Sequence, residues 1–94
     1  MQTLTTTIKR QWLAEIIAGT KKIEYRELKP YWVERFANYN LPFQLRLING
    51  MSKIAPEVTC LIEKVDIEGL EYRLHISKVL SYKNWDKKRG IPTQ

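Results

Sequence analysis

Cysteine and histidine are nearly absent, with Cys60 and His75 standing alone in a chain of 94 residues. A lone cysteine cannot close an internal disulfide, and together the two residues fall short of the usual ligands of a structural zinc site. Neither a metal nor another cofactor is therefore expected. Long apolar runs are also missing, since none approaches the roughly 18 residues needed to span a bilayer. The start, Met1-Gln2-Thr3-Leu4-Thr5, has neither the basic end nor the apolar stretch of a secretion signal. A cytoplasmic protein without a membrane partner is expected. Gly19, Gly50, Gly69 and Gly90 are the only glycines, too scattered for a phosphate-cradling loop. The length excludes two lobes with a cleft between them, so residues 1–94 are read as one domain.

What is present is enough to build a core: 44% of residues are hydrophobic and 28% charged, without the Pro, Gly and Ser excess of a linker. Lys and Arg number 16 against 10 Asp and Glu, a net charge of +6 that favours a polyanionic partner.

Residues 3–8 are rich in threonine and β-branched side chains and read as a strand. Over residues 9–18, Trp12, Leu13, Ile16 and Ile17 form one helical stripe, which assigns Trp12 to the core. Gly19 supplies the left-handed stop. Residues 22–26 alternate as a strand, with Ile23 and Tyr25 on the face assigned to the core and Lys22, Glu24 and Arg26 opposite. Pro30 opens a second helix in which Tyr31, Trp32, Val33, Phe36 and Ala37 supply apolar contacts. Strands follow over residues 43–47 and 57–67, joined by a loop over 49–56. The apolar set of the second shifts from Val58, Cys60 and Ile62 to Val65 and Ile67, the mark of a bulge in a curling sheet. After a Glu68-Gly69 turn, Leu70, Tyr72, Leu74 and Ile76 share one strand face. Residues 83–94 carry Lys87-Lys88-Arg89 and little apolar material, and read as a loose basic tail. These elements predict an α+β fold, about five strands in a small barrel with two helices near the N-terminus.

The most informative stretch is the glycine stop followed by Lys21, Glu24 and Arg26, a Gly-x-Lys-x-x-Glu-x-Arg pattern between an apolar helix and a second helix holding Trp32 and Arg35. It resembles the ASCH domain family of the PUA-like superfamily over the N-terminal third of the chain. The resemblance implies a PUA-like β-barrel with a basic cleft that binds RNA or a nucleotide-like ligand, lined by Lys21, Glu24, Arg26, Trp32 and Arg35. It also implies an enzymatic alternative in which Lys21 and Glu24 are catalytic: a ribonuclease, or an amidohydrolase acting on an acylated cytidine. In the amidohydrolase pattern a threonine stands where this chain has Glu24, so that hydroxyl is missing here. A later-strand carboxylate is also required, and Glu57, Glu63 and Glu71 are candidates. A protein-interaction module is the third reading.

Elementary chemistry agrees with an anion site. Arg26 offers a planar fork of donors, Lys21 a mobile point charge, and Glu24 can hold the guanidinium in place. Glu24 and Arg26 can equally form a plain surface ion pair. Tyr25, Tyr31 and Trp32 are candidates to stack on an unpaired base, Trp32 otherwise serving as core or cleft wall. Cys60 reads as a buried hydrophobe, and His75 as an exposed sheet residue or a cleft acid/base.

Overall fold

The computed structural model describes residues 1–93. Its elements run β1 (Thr3–Thr7), α1 (Arg10–Ala18), β2 (Ile23–Glu27), α2 (Pro30–Ala37), β3 (Phe43–Ile48), β4 (Glu57–Glu68), β5 (Glu71–Lys83), β6 (Trp85–Asp86) and β7 (Ile91–Pro92). The first five strands form one sheet in the order β1-β3-β4-β5-β2, parallel between β1 and β3 and antiparallel elsewhere. The sheet curls into a half-barrel, so β1 and β2 are both edge strands. The α+β class and the two helices agree with the pattern of the chain.

Local chemistry accounts for the elements. Gly19 closes α1 at φ 85°, a conformation that costs glycine little, and its N–H returns to the carbonyl of Ile16. In β3, Phe43, Leu45 and Leu47 are buried while Gln44, Arg46 and Ile48 alternate outward. The β4–β5 ladder slips near Thr59 and again around Ile62 and Lys64, which bends the long hairpin where the apolar set changes register. Val58, Cys60 and Ile62 are fully buried, whereas Ile67, beyond the bend, is exposed.

The core lies between the concave face of the sheet and α1, which contributes Leu13, Ile16 and Ile17. The short α2 buries no residue completely. Only its Trp32 and Phe36 pack on the core, while Tyr31 and Val33 face outward. Leu70 falls in the β4–β5 turn and is exposed, so the buried face of β5 is Tyr72, Leu74 and Ile76.

Beyond Lys83 the structure differs from the expected loose tail. Trp85 is only 6% exposed and joins the core cluster, and its strand pairs with residues 91–92 as a small hairpin. Asp86 holds the turn through its carbonyl, which accepts from the Gly90 N–H, and its carboxylate, which accepts from the Arg89 N–H. The Asn84 side chain donates to the Ala55 carbonyl at 3.1 Å. A single large aromatic therefore anchors a segment whose mean composition is polar; Lys87, Lys88 and Arg89 remain exposed at its tip. Gln94 lies outside the described residues.

Trp85→Ala is expected to lower unfolding stability by about 3–5 kcal/mol, as for other buried aromatics truncated to alanine. Urea denaturation followed by circular dichroism measures it, and a change below half a kilocalorie would mean that the hairpin is not docked.

Candidate functional site

An open cleft of about 910 Å3 lies where the two edge strands of the half-barrel face each other, lined by residues from β1, α1, β2 and α2 together with Asn49 and Glu71. Its floor is the carboxylate of Glu24, 5% exposed and the only charged residue buried among the described residues. Lys21 Nζ lies 3.3 Å from one carboxylate oxygen and Arg26 donates to the other. Two cations thus flank one buried anion, which satisfies the requirement that a charge taken out of water be paired.

The same cations cap the strand edges. In β2, Lys21 donates to the Ile23 carbonyl at 2.6 Å and Arg26 to the Tyr25 carbonyl at 2.7 Å. Across the gap, Arg26 donates to Thr7 O at 2.9 Å, Arg35 to Thr5 O at 3.2 Å, and the Tyr39 hydroxyl to Thr3 O at 3.4 Å. Successive odd-numbered carbonyls of β1 therefore meet side chains where a further strand would otherwise pair. Arg26 touches both edges and ties the seam together.

Aromatic rings wall the cleft. Lys21 Nζ is 5.3 Å from the centroid of Trp12 and 5.2 Å from that of Tyr25. The guanidinium carbons of Arg26 and Arg35 each lie 5.4 Å from the Trp32 ring, and Arg35 also contacts the ring of Tyr31. Lys21, Glu24, Arg26 and Trp32 all line the cleft, whereas Arg35 stands behind Trp32 against β1.

Two assignments to the core are corrected. Trp12 is 40% exposed and Tyr25 43% exposed, and both line the cleft. Trp12 lies at the border of its helical stripe, outside the arc that Leu13, Ile16 and Ile17 bury, and Lys21 gives its ring a partner. In β2 the expected alternation holds with the faces reversed, because the inward face opens onto the cleft and Glu24 finds its countercharges there.

The lining also departs from a purely basic surface, since Lys9, Lys21 and Arg26 are matched by Glu24, Glu27 and Glu71. Of the three later-strand carboxylates, only Glu71 reaches the cleft. Glu57 is engaged by Arg46 in a two-point ion pair, and Glu63 accepts from Ser77. Asn49, the first residue of the expected loop, donates to Ile8 O at 2.9 Å and accepts from Arg10 at 3.0 Å, and so lines the cleft from a fixed position. Nothing in its sequence context marks that role.

Cys60 is buried, and burial pushes its thiol up to about 12, with the negative charge of Glu24 adding to the effect. It is unsuited to nucleophilic use. His75 lies outside the cleft on the opposite sheet face, its Nε2 3.1 Å from Asp66. The hydrogen bonds from Arg73 hold the Asp66 carboxyl down at about 2, against its partial desolvation and with help from His75. Among the described residues no group of histidine, cysteine and carboxylates could hold a metal ion, and no helix is long and apolar enough to cross a membrane.

Glu24→Leu leaves Lys21 and Arg26 without their anion, and is expected to cost about 3–5 kcal/mol of stability; a thermal melt unchanged from the parent would contradict the central role given to this carboxylate. Asp66, whose folded pKa is depressed, contributes stability that is present above its ordinary 3.8 and disappears as pH falls toward about 2. The melting-temperature difference between the parent and Asp66→Asn should accordingly be constant above pH 5 and shrink on acidification. A difference that grows on acidification refutes the assignment.

No family model, curated protein or solved structure matches this chain.

Proposed function

We propose that the cleft binds RNA or a nucleotide-like ligand, and that the chain is a small ASCH-type domain with a PUA-like half-barrel. The observation that carries this reading is the buried Glu24 carboxylate between Lys21 and Arg26, on the floor of an open cleft walled by Trp12, Tyr25 and Trp32. Each part suits a portion of a nucleotide. Exposed indole and phenol rings stack on any base, a contribution of about 1–3 kcal/mol per base. The carboxylate has lone pairs beyond those used by Lys21 and Arg26, and accepts from an exocyclic amine or ring N–H on a base edge. Arg26 uses three of its five N–H groups on Glu24, Tyr25 and Thr7, which leaves two for a phosphate or sugar oxygen.

The equal number of cations and carboxylates in the lining argues for recognition of one nucleotide unit at a time over adhesion to polyanions in general. The net +6 of the whole chain adds long-range attraction without selecting the ligand.

A hydrolytic reading is favoured by one specific feature, the presence of Glu71 in the same cleft as Lys21. Lys21 is held in place by a carbonyl and a carboxylate and keeps one N–H for developing negative charge on a substrate oxygen. In this reading Glu71 is the carboxylate assigned to proton transfer. The substrate would be an RNA phosphodiester or an acylated cytidine.

Binding of a short single-stranded RNA, followed by fluorescence anisotropy, should weaken as salt rises and weaken about tenfold or more in Arg26→Ala at a temperature where the variant is folded. Absence of binding at low salt refutes the proposal. Turnover of RNA or of acetylated cytidine that is lost in both Lys21→Ala and Glu71→Gln would select the enzymatic reading; turnover equal to the parent's in both would eliminate it.

A further inference from the structure

Trp12, Lys21 and Tyr25 form a wall with a hollow on each side. One is the cleft; the other is a more open depression of about 340 Å3 that continues past the same three residues to Glu15, Thr20, Lys22 and Ile23. Lys21 Nζ lies within 5.3 Å of both ring centroids, so its ammonium occupies the waist between the hollows. Two of its N–H groups go to Ile23 O and Glu24, and the third has no protein partner among the described residues. The rings on either side of this cation are the two large aromatics that the fold leaves substantially exposed here.

A free mononucleotide occupies one hollow and leaves the other empty. A nucleic-acid strand has the spacing that this arrangement repeats: base, phosphate, base. Resting on the nucleotide-binding reading above, we infer that the site takes an internal stretch of single-stranded RNA, a dinucleotide at the least. Its linking phosphate meets the free N–H of Lys21, one nucleoside occupies the cleft over Glu24, and the next enters the hollow beside Thr20 and Lys22. The exposed ammonium of Lys22 then faces the following phosphate. A duplex is excluded from this pose, since both bases must leave their stack to reach the rings.

The test compares cytidine monophosphate, the dinucleotide CpC and hexacytidylate at fixed ionic strength, read by the intrinsic fluorescence of the cleft tryptophans. CpC is expected to bind roughly tenfold or more tighter than the mononucleotide, the share of one further stacked base. Lys22→Ala should weaken hexacytidylate, which has a following phosphate, while leaving CpC and the mononucleotide unchanged. If CpC binds no tighter than the mononucleotide, or Lys22→Ala weakens all three equally, the two-hollow inference is overturned and nucleotide binding in the cleft still stands. If none of the three binds the folded protein, both fall.

Discussion

The structure depends on one buried anion. Glu24 sits on an edge strand, where the sheet offers no further ladder, and its charge is tolerable only because Lys21 and Arg26 converge on it. That convergence has a second effect. With its guanidinium held by Glu24, Arg26 reaches the Thr7 carbonyl on the opposite edge, and Lys21 is drawn over the Ile23 carbonyl. The ion triad therefore closes, by side chains, a seam that a complete barrel would close by backbone pairing. Neutralising Glu24 would do more than remove a polar contact, because it would release the cations that occupy both edges.

Closing the seam with side chains leaves space that a strand would fill, and that space is the cleft. Aromatic rings wall it because the cations that cap the edges need partners on their other sides: Trp12 and Tyr25 for Lys21, and Trp32 for Arg26 and Arg35. Stability and the proposed recognition consequently rest on the same residues. The arrangement also explains why Trp32 and Phe36, stacked at 5.4 Å between ring centroids, matter on a helix that buries nothing completely. Phe36 continues to Tyr72 in the core at 4.6 Å, and so fixes Trp32 relative to the sheet.

The elements whose apolar residues face a single core were legible in the chain. α1 with its Gly19 stop, the alternating β3 and the bent β4 follow directly from spacing and turn chemistry. The chain does not show a residue's place where the environment of a face is decided by distant strands. The alternation in β2 was clear, yet the choice between Tyr25 and Glu24 as the inward residue depends on the cleft, which forms only when β1 and β2 meet across the open sheet. Trp12 was misplaced for a related reason, since helical periodicity defines an apolar arc but not how much of it the sheet covers. Trp85 shows the opposite error. Average polarity over residues 83–94 conceals one large side chain whose burial outweighs its neighbours. Of the expected site, Lys21, Glu24, Arg26 and Trp32 come together in the cleft, while Arg35 supports it from behind.

The charge surplus takes on a different meaning once it is placed in the fold. The cleft lining is balanced, three cations against three carboxylates, so the net +6 resides on other surfaces. Part of it is the Lys87-Lys88-Arg89 turn, held away from the core side of its hairpin by the burial of Trp85. Charges so dispersed attract a polyanion over roughly a Debye length, about 8–10 Å at ordinary ionic strength, but do not orient it. Orientation requires fixed donors and acceptors, and those lie on the seam, where each cation is already held by a carbonyl or by Glu24. In the proposed function, long-range attraction and local discrimination thereby fall to different parts of the molecule. The residues to which the proposal gives discrimination are also those that tie the two edges of the half-barrel together.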